Sequence, residues 1–176
     1  GERPGANLYS SSLVALDSRT GKVRWAQQLV HHDIWDWDVP AIPILADIPA
    51  QGRTVGAVLQ ITKQGFVFAF DRLTGAPLWP IEERPVPKSD VPGEATSPTQ
   101  PMPTLPVPFD RQGVTVDDLI DFTPALRAEA VEAVKPFRLG AFMAPPSLRA
   151  APDGSKGTLA LPSVLGGGNW EGGAFD

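Results

Sequence analysis

The chain has 176 residues, 42% hydrophobic and 20% charged, with a net charge of −5 and a pI near 5.0. That length suffices for a domain with a real core, and the acidic balance argues against a nucleic-acid or anionic-membrane surface, which needs basic patches. No cysteine is present, which excludes disulfide frameworks and thiolate metal sites, and no apolar run approaches the ~18 residues needed to span a bilayer.

Gly1 to Asn7 lacks signal-peptide character. Residues 9 to 30 read as a hairpin: Ser12–Leu16 is a short apolar strand, Asp17-Ser18-Arg19-Thr20-Gly21 a turn, and Lys22–Ala26 alternates polar and apolar with period two. Gly21 supplies the positive φ of the turn, and Asp17 can bond its amides.

The next stretch, His31-His32-Asp33-Ile34-Trp35-Asp36-Trp37-Asp38-Val39-Pro40, concentrates two histidines, three carboxylates and two indoles. On residues alone two readings stand. In one, the indoles plug a core and the aspartates cap turns. In the other, a catalytic carboxylate is held against an apolar wall with a cation nearby. His31 and His32 are poor candidates to share a metal, because neighbours in an extended chain point to opposite faces. Asp33 and Asp38 read as carboxylates that bond a turn or support another group.

Val55–Ile61 and Phe66–Phe70 form a second hairpin around Thr62-Lys63-Gln64-Gly65. Lys63, 27 positions after Asp36, therefore stands at a sheet end, where strands fix position and loops supply groups. The first turn then returns. Ala15–Trp25 aligns with Ala69–Trp79 at an offset of 54, with alanine, aspartate, threonine, glycine and tryptophan in register. A strand-built repeat of this length suggests radially arranged four-stranded sheets, a β-propeller, with Trp25 and Trp79 wedged between neighbouring sheets.

From Trp79 the texture changes. Nine of the twenty prolines fall between Pro80 and Pro108, which rules out a central strand and predicts an extended excursion over the surface. Two short helices follow. Thr115 caps Val116–Asp121 with Asp118 at the capping-box position, and Thr123 with Pro124 opens Ala125–Lys135, which Pro136 ends. Residues 141 to 176 are expected to return to strand, beginning at Gly157–Pro162. Gly166–Gly173 is a glycine-rich turn carrying Asn169, Trp170 and Glu171; without a following Lys-Ser/Thr or a strand–loop–helix setting it is not a phosphate loop. Its glycines fit a close approach to a flat ligand or a neighbouring strand. The chain closes at Asp176 just after this turn and reads as a piece of a longer protein.

With the Ala-x-Asp-x-x-Thr-Gly-x-x-x-Trp repeat and the His31–Pro40 run in hand, the chain resembles the quinoprotein dehydrogenases, eight-bladed propellers that bind pyrroloquinoline quinone (PQQ). Pro43–Ile48, Ser97–Pro101 and Pro145-Pro146-Ser147 resemble the membrane-bound glucose and quinate (polyol) dehydrogenase branch. The resemblance implies an all-β fold in which this chain supplies about two to three blades. Residues 1–79 would be blades, 80–140 a proline-rich loop with a helical insertion, and 141–176 the start of the next blade.

It further implies Asp36 as general base and Lys63 as the cation on the quinone oxygens, with Asn169 and Trp170 near the cofactor. Calcium is implied with its ligands outside this stretch, ubiquinone as electron acceptor, and a location at the periplasmic face of the bacterial inner membrane. A sugar or polyol is the implied substrate, and the 176 residues alone are expected to be inactive, since a partial ring cannot close. The alternative is a non-catalytic propeller that binds protein partners, which would have no need of an Asp36–Lys63 pair.

Overall fold

A computed structural model describes residues 3–50 and 52–176; Gly1 and Glu2, part of the N-terminal segment read above, lie outside the described residues. Strands dominate. β1 (Ser12–Leu16) pairs with β2 (Val23–Gln28), β3 (Ile44–Ala50) with β4 (Arg53–Ile61), β4 with β5 (Val67–Asp71), and β6 (Ile81–Pro85) with β7 (Thr99–Pro103), all antiparallel. A lone bridge from Phe70 to Pro77, with the Leu78 amide donating to Ala69 O at 2.9 Å, adds a fourth segment to β3–β4–β5.

The two turns of the repeat share the same backbone bonds. Asp17 Oδ1 accepts from the amides of Arg19 and Thr20, and Asp71 Oδ1 from those of Leu73 and Thr74. In each, the glycine amide donates back to the aspartate carbonyl at 2.8 Å. The bonded carboxyls lie below the ordinary aspartate value, Asp17 chiefly through Arg24 and Asp71 through the Thr74 and Leu73 amides. Trp25 then reaches the second turn. Its Nε1 donates to Arg72 O at 3.2 Å, and a Cβ added at Gly75 would lie 2.6 Å from the indole Cδ2. Only glycine leaves room for that ring, and its φ of 73° is one that glycine adopts without strain. The wedge expected of Trp25 is thus a ring lying on the next turn of the repeat.

The β4–β5 part of the three-stranded sheet is packed on both faces. Small residues, Ala46, Ala50, Ala57 and Ala69, with Ile48, Val55 and Leu78 fill one side; Val58, Phe66, Phe68 and Phe70 fill the other, against Leu29, Val30, Trp35, Trp37, Met102 and Met143. β3 alternates buried Ala46, Ile48 and Ala50 with exposed Leu45, Asp47 and Pro49, the mark of a strand half open to solvent.

The proline-rich excursion departs from the sequence reading. It holds a two-stranded ribbon, and Gln100, Pro101, Met102 and Pro103 in β7 are buried rather than spread over the surface. The physical reason is parity. The amides of Val86 and Thr104 donate across the ribbon to Pro98 O and Pro80 O, so even positions carry the ladder. Pro85, Pro101 and Pro103 all occupy the other parity, whose missing N–H costs no ladder bond.

The first expected helix is shorter, a single 3-10 turn over Val116–Asp118 with the Thr115–Asp118 capping box in place. Helix α1 (Pro124–Val134) starts where Thr123 Oγ1 accepts from the Leu126 amide at 3.2 Å, and it buries none of its residues. The expected return to strand after residue 141 is confined to β9 (Thr158–Leu159), parallel to β8 (Arg138–Leu139). Of the six residues Gly157–Pro162, only Thr158 and Leu159 pair; the segment lines a cavity with the two indoles of the His31–Pro40 run.

Candidate functional site

Residues 29 to 41 form a loop without regular structure, yet its backbone is held by buried side chains at both ends. Gln64 Nε2 donates to Leu29 O at 2.9 Å, and Gln60 Nε2 donates to Ala41 O at 2.9 Å. Gln100 makes a two-way clasp: its Oε1 accepts from the His31 amide at 2.8 Å, and its Nε2 donates to His31 O at 2.7 Å. Each of these glutamines is 1% exposed or less. Breaking any of these bonds would leave a buried amide N–H unpaired, so all three glutamines are tied to the loop they grip, although Gln64 Oε1 itself has no partner among the described residues. Sequence reasoning passed over them. The available signal was a polar amide embedded in an apolar strand, as Gln60 is, or between prolines, as Gln100 is.

Between these grips the indoles anchor the middle. Trp35 and Trp37 stack at 5.5 Å, and Trp37 stacks in turn on Phe142 at 5.9 Å. Their N–H groups donate to Ala144 O at 3.1 Å and Ser163 O at 3.0 Å. Burying two alternate indoles turns the residues between and after them outward, which exposes Asp36 and Asp38. The packing reading holds for the indoles. The tryptophans plug a core, and the carboxylates stand on its rim.

Asp33 stays inside the turn. Burial pushes its carboxyl above the ordinary aspartate value despite bonds from the Trp35 and Trp37 amides and the Ser11 hydroxyl. His31 places Nδ1 2.9 Å from Gln28 Oε1 and Nε2 2.9 Å from Glu83 Oε1. Burial raises the Glu83 carboxyl, but the His31 ring and the Thr99 hydroxyl outweigh it and hold Glu83 below its ordinary value. His32 is buried, with Nδ1 donating to Gly5 O at 2.9 Å.

Lys63 lies in the turn between β4 and β5, and its side chain is 8% exposed. The Gly166–Gly168 turn is packed on it. The Gly167 amide donates to Lys63 O at 2.9 Å, and any side chain at Gly166 would overlap the Lys63 Cα and Cβ. The close approach expected of these glycines is made to this hairpin. The ammonium reaches the rim of the loop. It donates to Asp36 O at 2.8 Å and to Asp38 Oδ1 at 2.5 Å, and lies 3.8 Å from Asp36 Oδ2. Its third N–H has no protein acceptor among the described residues. Asp36 itself has a φ of 63°, the left-handed region, and a side chain 80% exposed.

The structure thus brings Asp36 and Lys63 together, at an open rim. The apolar cavity of about 290 Å³ beside this loop lies on the indole side, lined by Trp35, Trp37, Leu159 and Pro162. Asn169 and Trp170 follow the turn that packs on Lys63. Asn169 Nδ2 donates to Leu165 O and its Oδ1 accepts from the Trp170 amide, so this side chain closes its own turn. Trp170 is 79% exposed. Neither hydrogen-bonds Asp36 or Lys63 among the described residues. No group of three or more His, Cys, Asp or Glu comes together to hold a metal among the described residues, and no helix there is long and apolar enough to cross a membrane.

The chain is 37% identical to the quinate/shikimate dehydrogenase (quinone) of Acinetobacter baylyi across 100% of its own length and 21% of that protein. It is 38% identical to the glycerol dehydrogenase large subunit of Gluconobacter thailandicus, covering 97% of this chain and 22% of that one. It is 34% identical to the quinoprotein glucose dehydrogenase of Escherichia coli, covering 98% and 21%. The chain therefore spans about a fifth of the length of these curated relatives. Among solved structures, a quinohemoprotein alcohol dehydrogenase of Pseudomonas putida HK5 superposes with a TM-score of 0.50 at 22% identity, over 94% of this chain and 18% of that one, a likeness of fold. Residues 1–176 match throughout the family described as PQQ: glucose/ethanol/alcohol dehydrogenase, beta-propeller domain, and the chain belongs to that family of PQQ-dependent dehydrogenases.

Proposed function

We propose that these 176 residues are a segment of a longer PQQ-dependent dehydrogenase that oxidises an alcohol group of a sugar or polyol, with Asp36 as general base and Lys63 as the cation facing the quinone. The observation that carries this reading is the meeting of a buried ammonium with an uncommitted N–H and an exposed carboxylate 3.8 Å away. A flat, oxygen-rich anion fits that donor, and a hydroxyl fits that acceptor. The relatives' names, which include glucose, quinate and glycerol dehydrogenases, support the substrate class.

Alcohol oxidation needs a place for the hydroxyl proton and a sink for two electrons. The quinone, when bound, supplies the sink. Asp36 takes the proton on a carboxylate oxygen that faces solvent and is not consumed by a contact ion pair. Lys63 presents positive charge from a buried position, where it acts more strongly than in water. The glutamine grips and the stacked indoles hold the Asp36 backbone, so its reach is set before substrate arrives.

The 1–79 sheets and the 141–176 segment belong to an eight-bladed ring, with 80–140 as an insertion. Asn169 and Trp170 flank the cofactor from the Lys63 side. Calcium would be held by residues outside this segment and would supply Lewis acidity at the cofactor. Electrons pass to ubiquinone at the periplasmic face of the inner membrane. The segment alone has no turnover.

The test is the full-length dehydrogenase carrying this segment, reconstituted with PQQ and calcium, with dye reduction followed on glucose, quinate and glycerol. Asp36→Asn keeps the shape and removes the base, and turnover should fall by at least about 100-fold. Wild-type turnover in that variant would remove Asp36 from the reaction.

A further inference from the structure

The proposed chemistry makes opposed demands on Lys63. It must stand beside Asp36, yet a base held in contact with an ammonium has its lone pairs engaged and is a poor proton acceptor. It is also a nearly enclosed cation, and a cation in that position requires a counter-charge.

The contacts divide these demands among three groups. Asp38 Oδ1 sits 2.5 Å from Lys63 Nζ and supplies the counter-charge. Asp36 offers the ammonium its carbonyl at 2.8 Å, not its carboxylate, which stands back at 3.8 Å. The left-handed backbone at Asp36, φ 63°, separates the directions of its carbonyl and its side chain from those of an extended residue. Buried Trp37 fixes the link between the two aspartates through its bond to Ser163 O. On the opposite side, the Gly166–Gly167 backbone blocks retreat of the Lys63 main chain. The position of the ammonium is then decided by its counter-ion.

We propose that Asp38 is the positioning residue of Lys63: it holds the ammonium off the Asp36 carboxylate and leaves the third N–H for an acceptor on the bound quinone. Without Asp38, Lys63 closes the 3.8 Å gap and pairs with Asp36. One change then withdraws the cation from the cofactor and the base from the substrate. The inference rests on the roles proposed above for Asp36 and Lys63.

The experiment is an equilibrium titration of the full-length apoprotein with PQQ in excess calcium, followed by quenching of tryptophan fluorescence. Wild type is compared with Asp38→Asn, Asp38→Glu, Lys63→Met and the Asp38→Asn/Lys63→Met double variant. Asp38→Asn should raise Kd about tenfold or more, as expected for losing a charge-assisted bond. Asp38→Glu, which restores the charge, should return Kd to within about threefold of wild type, and the double variant should bind no more weakly than Lys63→Met alone, because the effect of Asp38 travels through Lys63.

An unchanged or lower Kd in Asp38→Asn, no recovery in Asp38→Glu, or losses that multiply in the double variant would each overturn the proposal. Wild-type affinity in Lys63→Met would remove the role proposed for Lys63 itself and this inference with it. Multiplying losses would remove only the inference. The isosteric Asp38→Asn and the charge-keeping Asp38→Glu guard against a trivial loss of folding.

Discussion

Replacing Gln100 by leucine tests whether the loop bearing Asp36 is held from below. The side chain is fully enclosed, and both of its polar atoms bond one residue, His31, at 2.8 and 2.7 Å. Leucine fills similar space and supplies neither bond. At about 1 kcal/mol net for each hydrogen bond, the loop should lose about 2 kcal/mol against local opening, a factor of about 30 in the opening constant. A ring of several sheets does not unfold in one step, so a global midpoint is the wrong measurement. Amide hydrogen exchange read by mass spectrometry on peptides covering 29–38 of the full-length protein reports the local event. Exchange there should speed up by about 30-fold while the 12–28 hairpin, to which Gln100 makes no hydrogen bond among the described residues, keeps its protection. Gln100→Glu should loosen the same peptide at least as much, since it sets a carboxylate against His31 O. If protection over 29–38 stays within about twofold of wild type in the leucine variant, the clasp does not hold the loop and the reasoning is wrong.

Two further outcomes follow from the same contacts. Gly166→Ala drives a Cβ into Lys63 at a φ of 79° that alanine tolerates poorly, so PQQ affinity in the full-length protein should fall at least about tenfold; an unchanged Kd would show that the turn does not set Lys63. Asp33→Asn should stabilise with rising pH. Burial raises the Asp33 carboxyl above 3.8 in the fold, so the wild type loses stability as pH climbs from that value through the raised one, whereas asparagine stays neutral throughout. The difference in local opening, read by amide exchange on peptides covering 29–38 and corrected for the intrinsic pH dependence, should be nil at the acid end and constant above the raised value. A difference that instead shrinks toward neutral pH would contradict this.

What could be read from the residues follows the range of the forces involved. The Asp17 and Asp71 turns were legible because their bonds close within four residues, and so was the β4–β5 hairpin. The proline ribbon was misjudged because a proline count ignores parity: the same prolines one position along would have broken the ladder. Alternate prolines in Thr99-Gln100-Pro101-Met102-Pro103 were the missed sign of an edge. The Asp36–Lys63 meeting was anticipated by family likeness, not by spacing. For Asp38 the residues leave two roles open, bonding a turn or supporting another group; its 2.5 Å contact with Lys63 is of the second kind, and nothing local distinguishes two aspartates separated by one indole. Only the left-handed backbone at the first of them does, and that is set by packing from Ala144, Phe142 and Ser163, more than a hundred residues further along.

The positive φ of Asp36 also restricts which replacements the position can accept. Apart from glycine, asparagine and aspartate are the residues that enter this region at small cost. Alanine or serine there would strain the main chain in addition to deleting the proposed base, so a drop in yield would be mixed with the drop in rate expected from that proposal. A descendant that abandoned the chemistry but kept the scaffold should carry asparagine or glycine at this site, a signature by which inactive copies of this segment can be picked out from their letters alone.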